Sequence, residues 1–404
     1  MKNRSLFTAV FLNYIGYYVY LLLLFYIGLS AYSLGFSVLI RFIILLGLFI
    51  LFFNSPRLKT KASTYIFIIF SIIYLTRIVI DALKGLPYYV STSKLILYYL
   101  SFCMIPFLLI CNIRFRISDF ITIRKALLLS GLLFSMLALF FFRNYIGTVG
   151  RLTTETAESD MLSPLALSYC SSLSIGIAAS YWMENKIILR EKIYLSLIIL
   201  LSATPFFLGS SRGSLVALAL PFVMIMISKK NLISNLRLIF ISFIALLAII
   251  YFSEYFGSSL IDRFTQTASD IEQGDDAAIR TTMWQNALNQ FVENPVLGDR
   301  LKVDGFNIYP HNILIEILQC TGLIGFIPFF VLTVTTFSKT LKIFRYAPAY
   351  SWIGILFIQC FTQNMFSGSI FSASWLLMSM ALVIAFTRKE NNFYVIGLSY
   401  KKAD

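Results

Sequence analysis

The sequence predicts an all-α integral membrane protein of about twelve transmembrane helices, with one large outer loop carrying an amphipathic helix. Three observations predict it. The 404 residues are 58% hydrophobic but only 13% charged, whereas soluble domains carry about a quarter charged residues. The apolar residues fall in long runs of bilayer-spanning length. The basic residues fall on alternate connections between those runs. A soluble multi-domain enzyme is thereby excluded.

Twelve runs are read, at 6–30, 35–53, 64–80, 94–113, 126–142, 163–182, 193–209, 213–228, 238–253, 311–337, 351–366 and 370–387. The first follows Lys2 and Arg4 and is too long for the apolar region of a cleavable signal peptide, so it reads as a retained span. The eighth is short, and Pro221 inside it predicts a kink. No internal repeat or low-complexity linker divides the chain, so residues 1–404 read as one polytopic domain.

With the N-terminus inside, the inner segments hold 22 of the 33 basic residues and five of the 19 acidic ones, a net +17. Everything else carries 11 basic and 14 acidic residues, a net −3. The total of +14 therefore reports topology and not nucleic-acid binding. Both termini are placed on the cytoplasmic side. Cys103, Cys111, Cys170, Cys320 and Cys360 all sit in apolar runs with no CxxC pair, and read as buried thiols.

The longest outer segment, 253–310, separates the ninth and tenth runs. A structureless loop of that length is uncommon. Within it Ile279, Met283, Trp284, Ala287, Leu288 and Phe291 form a helical stripe. Asp275 or Asp276 caps its start and Asn294-Pro295 stops it. The helix lies on the outer membrane face or across the mouth of a cavity.

Several polar residues gather near this side. The single histidine, His311, follows Pro310 at the start of the tenth run, where the positive end of the helix dipole disfavours imidazolium. A neutral imidazole suits a general base; an interfacial histidine with one hydrogen bond is the alternative. Asn312 adjoins it, and Glu316 lies about one turn further in. There it would orient a neighbour, pair with an arginine or share in base catalysis. Arg212 sits in the turn Gly209-Ser210-Ser211-Arg212-Gly213-Ser214. Small residues there let the backbone approach a ligand, the next helix offers free N–H groups, and the arginine fork grips two phosphate oxygens. Arg280, one turn before Trp284, points toward a membrane-level cavity or pairs with Asp276. Arg151, in a loop with Glu155, Glu158 and Asp160, is either solvated or a substrate contact. Arg41 and Arg77 lie near the outer face, where either could line a polar cavity. Together these groups suit a lipid-anchored phosphate substrate with its head group on the outer side.

Three segments, in order, resemble the O-antigen ligase/polymerase superfamily. They are the Ser211-Arg212-Gly213-Ser214 turn, the Arg280-x-x-x-Trp284 helix leading to Asn294-Pro295-Val296-Leu297-Gly298, and the His311-Asn312 to Gly322-Leu323-Ile324-Gly325 helix. The resemblance is specific over roughly 200–330 and general elsewhere. It implies a metal-independent, inverting glycosyltransferase of the bacterial inner membrane, with no cofactor and with its site and the 253–310 loop on the periplasmic face. The donor it implies is a glycan on undecaprenyl diphosphate. Arg212, Arg280 and His311 would be the catalytic residues, the arginines holding the diphosphate and His311 deprotonating the acceptor hydroxyl. Arg151, Glu316, Asn312, Ser211 and Trp284 would contact substrate. Partners would be the lipid-linked donor and acceptor, membrane lipid and a chain-length regulator protein, with no nucleic acid.

Glu316 and Gly322-x-x-Gly325 favour a polymerase of O-antigen or related repeats over a ligase acting on lipid A-core. Against this, Arg280 and Gly298 are separated by 17 residues, which departs from the Arg-to-Gly spacing described for some polymerases. From other classes, a transporter for a lipid or anionic solute would carry repeats and a midplane site. A structural assembly partner would leave His311 without a reason.

Overall fold

Apolar runs dictate helices because a backbone in hydrocarbon must satisfy its own hydrogen bonds. The computed structural model describes residues 2–16, 23–24, 27–55, 61–86, 88–152, 164–184, 187–228, 232–266 and 276–388. Every regular element among them is helical, and the chain is an all-α membrane protein.

The helices, in order, are α1 (Lys2–Phe11), continued as a π-helical turn over Leu12–Gly16, α2 (Ser33–Phe53) and α3 (Ala62–Leu83). Next come α4 (Thr92–Asn112), with a π-helical middle, α5 (Ile117–Phe142), α6 (Pro164–Trp182) and α7 (Leu189–Gly209). They are followed by α8 (Arg212–Ser228), α9 (Leu232–Tyr255), the short α10 (Leu260–Thr265) and α11 (Asp276–Glu293). The last three are α12 (Ile313–Tyr346), α13 (Ser351–Phe366) and α14 (Ser374–Phe386). Where they are described, the runs read from the sequence fall on these helices; residues 17–22 and 25–26 of the first run lie outside the described residues. Six of the helices are long and apolar enough to cross a membrane: α2, α3, α4, the α5 region, α7 and α12. α8 continues through Pro221 as one helix.

The bundle has two polar ends. At one end Lys2 donates to the Arg114 carbonyl at 2.8 Å and pairs with Asp119 at 3.3 Å. There too Arg124 pairs with Glu184 at 3.1 Å, and Lys339 donates to Thr387 Oγ1 at 2.9 Å. At the other end Gly147 N–H bonds the Phe256 carbonyl and Ser259 N–H bonds that of Gly150. These pairings join segments assigned to the same side, so the alternation of charge has a matching alternation of contacts.

α12 is the longest helix, at 34 residues about 50 Å long. It bends at Gly322, whose φ of +60° and ψ of −160° are non-helical, and not at Pro328. The reason is the Asn294–Gly298 segment, which docks into the bend. Leu323 N–H bonds the Pro295 carbonyl at 2.9 Å, Ile324 N–H that of Val296 at 3.2 Å, and Asp299 N–H the Gln319 carbonyl at 2.8 Å. The backbone groups freed by the bend are thus satisfied.

Gly298 faces Gly322 there with φ +71°, and a Cβ on it would lie 2.5 Å from the Cys320 carbonyl carbon. Gly298→Ala is therefore expected to destabilise the protein by about 2–4 kcal/mol. Thermal unfolding of the purified protein checks this, and an unchanged midpoint would contradict the docking.

Arg77 tightens the same joint, and this corrects its reading as a possible cavity-lining residue. Its guanidinium donates to the Leu297 and Gly298 carbonyls at 2.9 and 3.1 Å and pairs with Asp81 at 3.4 Å. Asp81 in turn accepts from Leu301 N–H at 2.8 Å. Arg77 is thereby a clamp between α3 and the outer loop.

The amphipathic helix is α11. Met283 and Ala287 are buried with Val303 against Phe306, Ile308 and Ile315, so α11 packs onto the start of α12. Of the predicted stripe, Ile279 and Leu288 are exposed, because α11 buries a narrower face than the sequence spacing indicated. Asp275 lies outside the described residues, as do Glu155, Glu158 and Asp160 of the loop after Arg151.

Candidate functional site

Where α11 and the loop after it meet the ends of α6, α7, α8, α12 and α13, the candidate residues converge. α7 ends at Gly209, Ser210 takes a left-handed conformation (φ 40°, ψ 52°), and α8 begins at Arg212. Ser210 Oγ bonds the Gly150 carbonyl at 2.9 Å and Ser258 Oγ at 2.7 Å, tying the turn to two other outer segments. Arg151 reaches the same turn, donating from Nε to the Gly209 carbonyl at 3.3 Å.

Gly213 gives room to the helices packed on this turn. A Cβ there would lie 2.8 Å from the Tyr169 hydroxyl and 3.0 Å from Phe366 Cβ. Those two groups link the arginines. Arg280 leaves α11 and donates from Nη1 to the Phe366 carbonyl at 3.0 Å. Tyr169 hydrogen-bonds Ser211 and lies in the fields of both Arg280 and Arg151. Arg151, Ser211 and Arg280, from three separate stretches of chain, are thus brought together at Tyr169 and Phe366, and Arg212 stands between Ser211 and Gly213 in the turn packed on them.

Sequence reasoning missed Tyr169 and Phe366. Tyr169 sits in Ser168-Tyr169-Cys170-Ser171-Ser172, a polar run inside an apolar span. That cluster is the signal that would have found it. Phe366 contributes a main-chain carbonyl, for which no side-chain pattern exists.

His311 lies on the same side. The helix begins at Ile313, with Asn312 as its N-cap accepting from Leu314 and Ile315 N–H at 3.1 and 3.3 Å. His311 therefore precedes the cap, outside the helix. Its φ is +56°, uncommon for a residue with a side chain. The preceding residue is fixed by Trp284, whose indole donates to the Pro310 carbonyl at 2.7 Å. The imidazole packs against Tyr309, with ring centroids 4.5 Å apart, and its Nδ1 has no hydrogen-bond partner among the described residues.

Burial, and next the charge of Arg280, lower the His311 pKa from about 6.5 to about 4. The imidazole is neutral through the physiological range and can accept a proton. If His311 is the base, the acid limb of kcat/KM is expected near pH 4, because that profile reports the free enzyme. Arg280→Gln should move the limb upward, since a positive neighbour is lost. A limb near 6.5 in both proteins would contradict this environment.

Glu316 is fully buried on α12 and accepts from Ser369 Oγ at 2.6 Å and Ile370 N–H at 3.0 Å. Both carboxylate oxygens are engaged by the turn leading into α14. Asn312 caps a helix and Trp284 braces the loop, so each has a positioning contact that fixes the place of His311 or its helix.

No curated protein matches the chain. Residues 197–330 match the family model described as O-antigen ligase. That stretch runs from α7 to the middle of α12 and includes Arg212, Arg280 and His311, while Arg151 and Tyr169 fall outside it. The match agrees with the superfamily that the three motifs resemble, and identifies in this membrane protein a segment similar to an O-antigen ligase.

Proposed function

We propose that the protein is an inverting, metal-independent glycosyltransferase that polymerises undecaprenyl-diphosphate-linked oligosaccharide repeats on the periplasmic face of the bacterial inner membrane. In this reading the chain is one twelve-span domain with both termini cytoplasmic, and the 253–310 loop covers a periplasmic site. The observation that carries it is the convergence of Arg151, Arg280 and the Ser211–Gly213 turn that bears Arg212 on Tyr169 and Phe366, on the side where His311 is held neutral.

The chemistry follows from those groups. The arginines and the N–H groups opening α8 hold the donor's diphosphate. His311 takes the proton from an acceptor sugar hydroxyl. The oxygen attacks the anomeric carbon from the face opposite the diphosphate. The carbon–oxygen bond to the diphosphate breaks, its electron pair leaves with the diphosphate, and the configuration inverts. Fixed cations aimed at that developing charge lower the barrier by several kcal/mol, about 3–4 for one well-placed donor.

A ligase is the second reading, favoured by the description of the matching family. It shares the donor and the base and differs in passing the glycan to lipid A-core. Deletion followed by a glycan gel separates the two. Core bearing a single repeat marks a lost polymerase, and carrier-linked long chains with bare core mark a lost ligase. Unchanged glycan with altered solute uptake would overturn both in favour of a transporter. A chain-length regulator is the partner this reading anticipates.

A further inference from the structure

A second feature of the outer half is a groove of about 400 Å³ between α1, α2, α4 and the α13–α14 turn. Its lining holds one cation, Arg41, and no carboxylate among the described residues. Arg41 lies on α2 about 12 Å along the axis from its first residue. Its guanidinium lies 3.6 Å from the Phe102 ring centroid and 5.0 Å from that of Tyr98. Amides of Asn13 and Asn364 line the same groove, as does Trp375, a mixture of hydrogen-bonding groups and ring faces that suits a sugar.

The groove also reaches the arginine cluster. Tyr169 belongs to both: it lines the groove and touches Ser211 and Gly213 of the turn before α8. Ser367, also in the lining, directly follows Phe366, whose carbonyl receives Arg280. A ligand in the groove would therefore lie beside whatever the arginines hold.

We propose that this groove is a second anionic head-group subsite, which receives the diphosphate-linked sugar of the acceptor. Arg41 takes its diphosphate, and the amides and Tyr169 direct its sugar toward the arginine cluster. This rests on the proposed polymerase reading, since a polymerase must hold two carrier-linked substrates at once. It assigns donor and acceptor to different ends of one cavity system.

The test counts carriers on the full-length protein in nanodiscs, with undecaprenyl diphosphate as the probe and native mass spectrometry as the readout. The wild type is expected to hold two. Arg41→Gln and Arg212→Ala should each hold one, and Arg41→Lys, which keeps the charge, should hold two. The polymerisation rate of Arg41→Gln at low substrate should fall roughly tenfold, as for a lost charge-assisted hydrogen bond. A wild type holding a single carrier that Arg212→Ala loses and Arg41→Gln keeps would overturn the second subsite while leaving the proposed function standing. Two carriers retained by Arg41→Gln would also overturn it. A wild type that binds no carrier would overturn both.

Discussion

His311→Ala is expected to leave folded protein in the membrane and to abolish polymer formation. Removing a positioned general base typically costs 10²–10⁴-fold in rate, which on a glycan gel reads as absence of product. Folding should survive because the lost contacts are few. Nδ1 makes no hydrogen bond among the described residues, and the ring's packing partner is the neighbouring Tyr309. The backbone supports the same expectation, since His311 stands at φ +56°, a conformation that strains a side-chain-bearing residue. Asparagine tolerates that region better than most residues. His311→Asn should therefore be at least as stable as the wild type and still inactive, a separation of fold from function that a merely structural histidine would not give. Wild-type glycan length on either variant would sink the base assignment.

Arg212→Ala should be as damaging for a different reason. The guanidinium in this reading carries part of the diphosphate charge as the glycosidic bond breaks, and loss of one preorganised charge-stabilising donor costs about 10²–10³-fold. The turn itself should persist. It is held by Ser210 Oγ on the Gly150 carbonyl and by Gly213 packed on Tyr169 and Phe366, none of which involves the arginine side chain. Arg212→Lys should recover only part of the activity, because an ammonium restores charge without the planar fork. Adding Arg280→Ala to Arg212→Ala should cost less than the product of the single effects, since the two would act on one leaving group. Full activity of Arg212→Ala with the protein present in the membrane would remove the diphosphate clamp.

The helices were legible in the sequence because hydrophobic length acts locally. His311, Arg212 and Arg280 were legible as well, since each stands out against an apolar background. What joins them was not. Arg280 is held by a main-chain carbonyl 86 residues away, and the groove at Arg41 brings together helices from both ends of the chain. The packing roles of the glycines were hidden for a related reason. Gly213 makes room for α6 and α13, and Gly298 and Gly322 let the outer loop dock on α12. Arg77 likewise read as a cavity residue and is a clamp, because only the fold sets the carbonyls of 297 and 298 beside it. Residue type announces chemistry, but whether a residue meets a ligand or a neighbouring helix is decided by contacts distant in sequence.

The most direct measurement is polymerisation by the purified protein in nanodiscs, supplied only with an undecaprenyl-diphosphate-linked repeat unit and a metal chelator. The expected result is a ladder of carrier-linked oligomers, with one undecaprenyl diphosphate released per linkage formed and inverted configuration at each new bond. His311→Asn, folded and carrier-bound, should give no ladder. A wild-type protein that binds the carrier but builds nothing, or a His311→Asn ladder equal to that of the wild type, would contradict a histidine-based, arginine-assisted transferase.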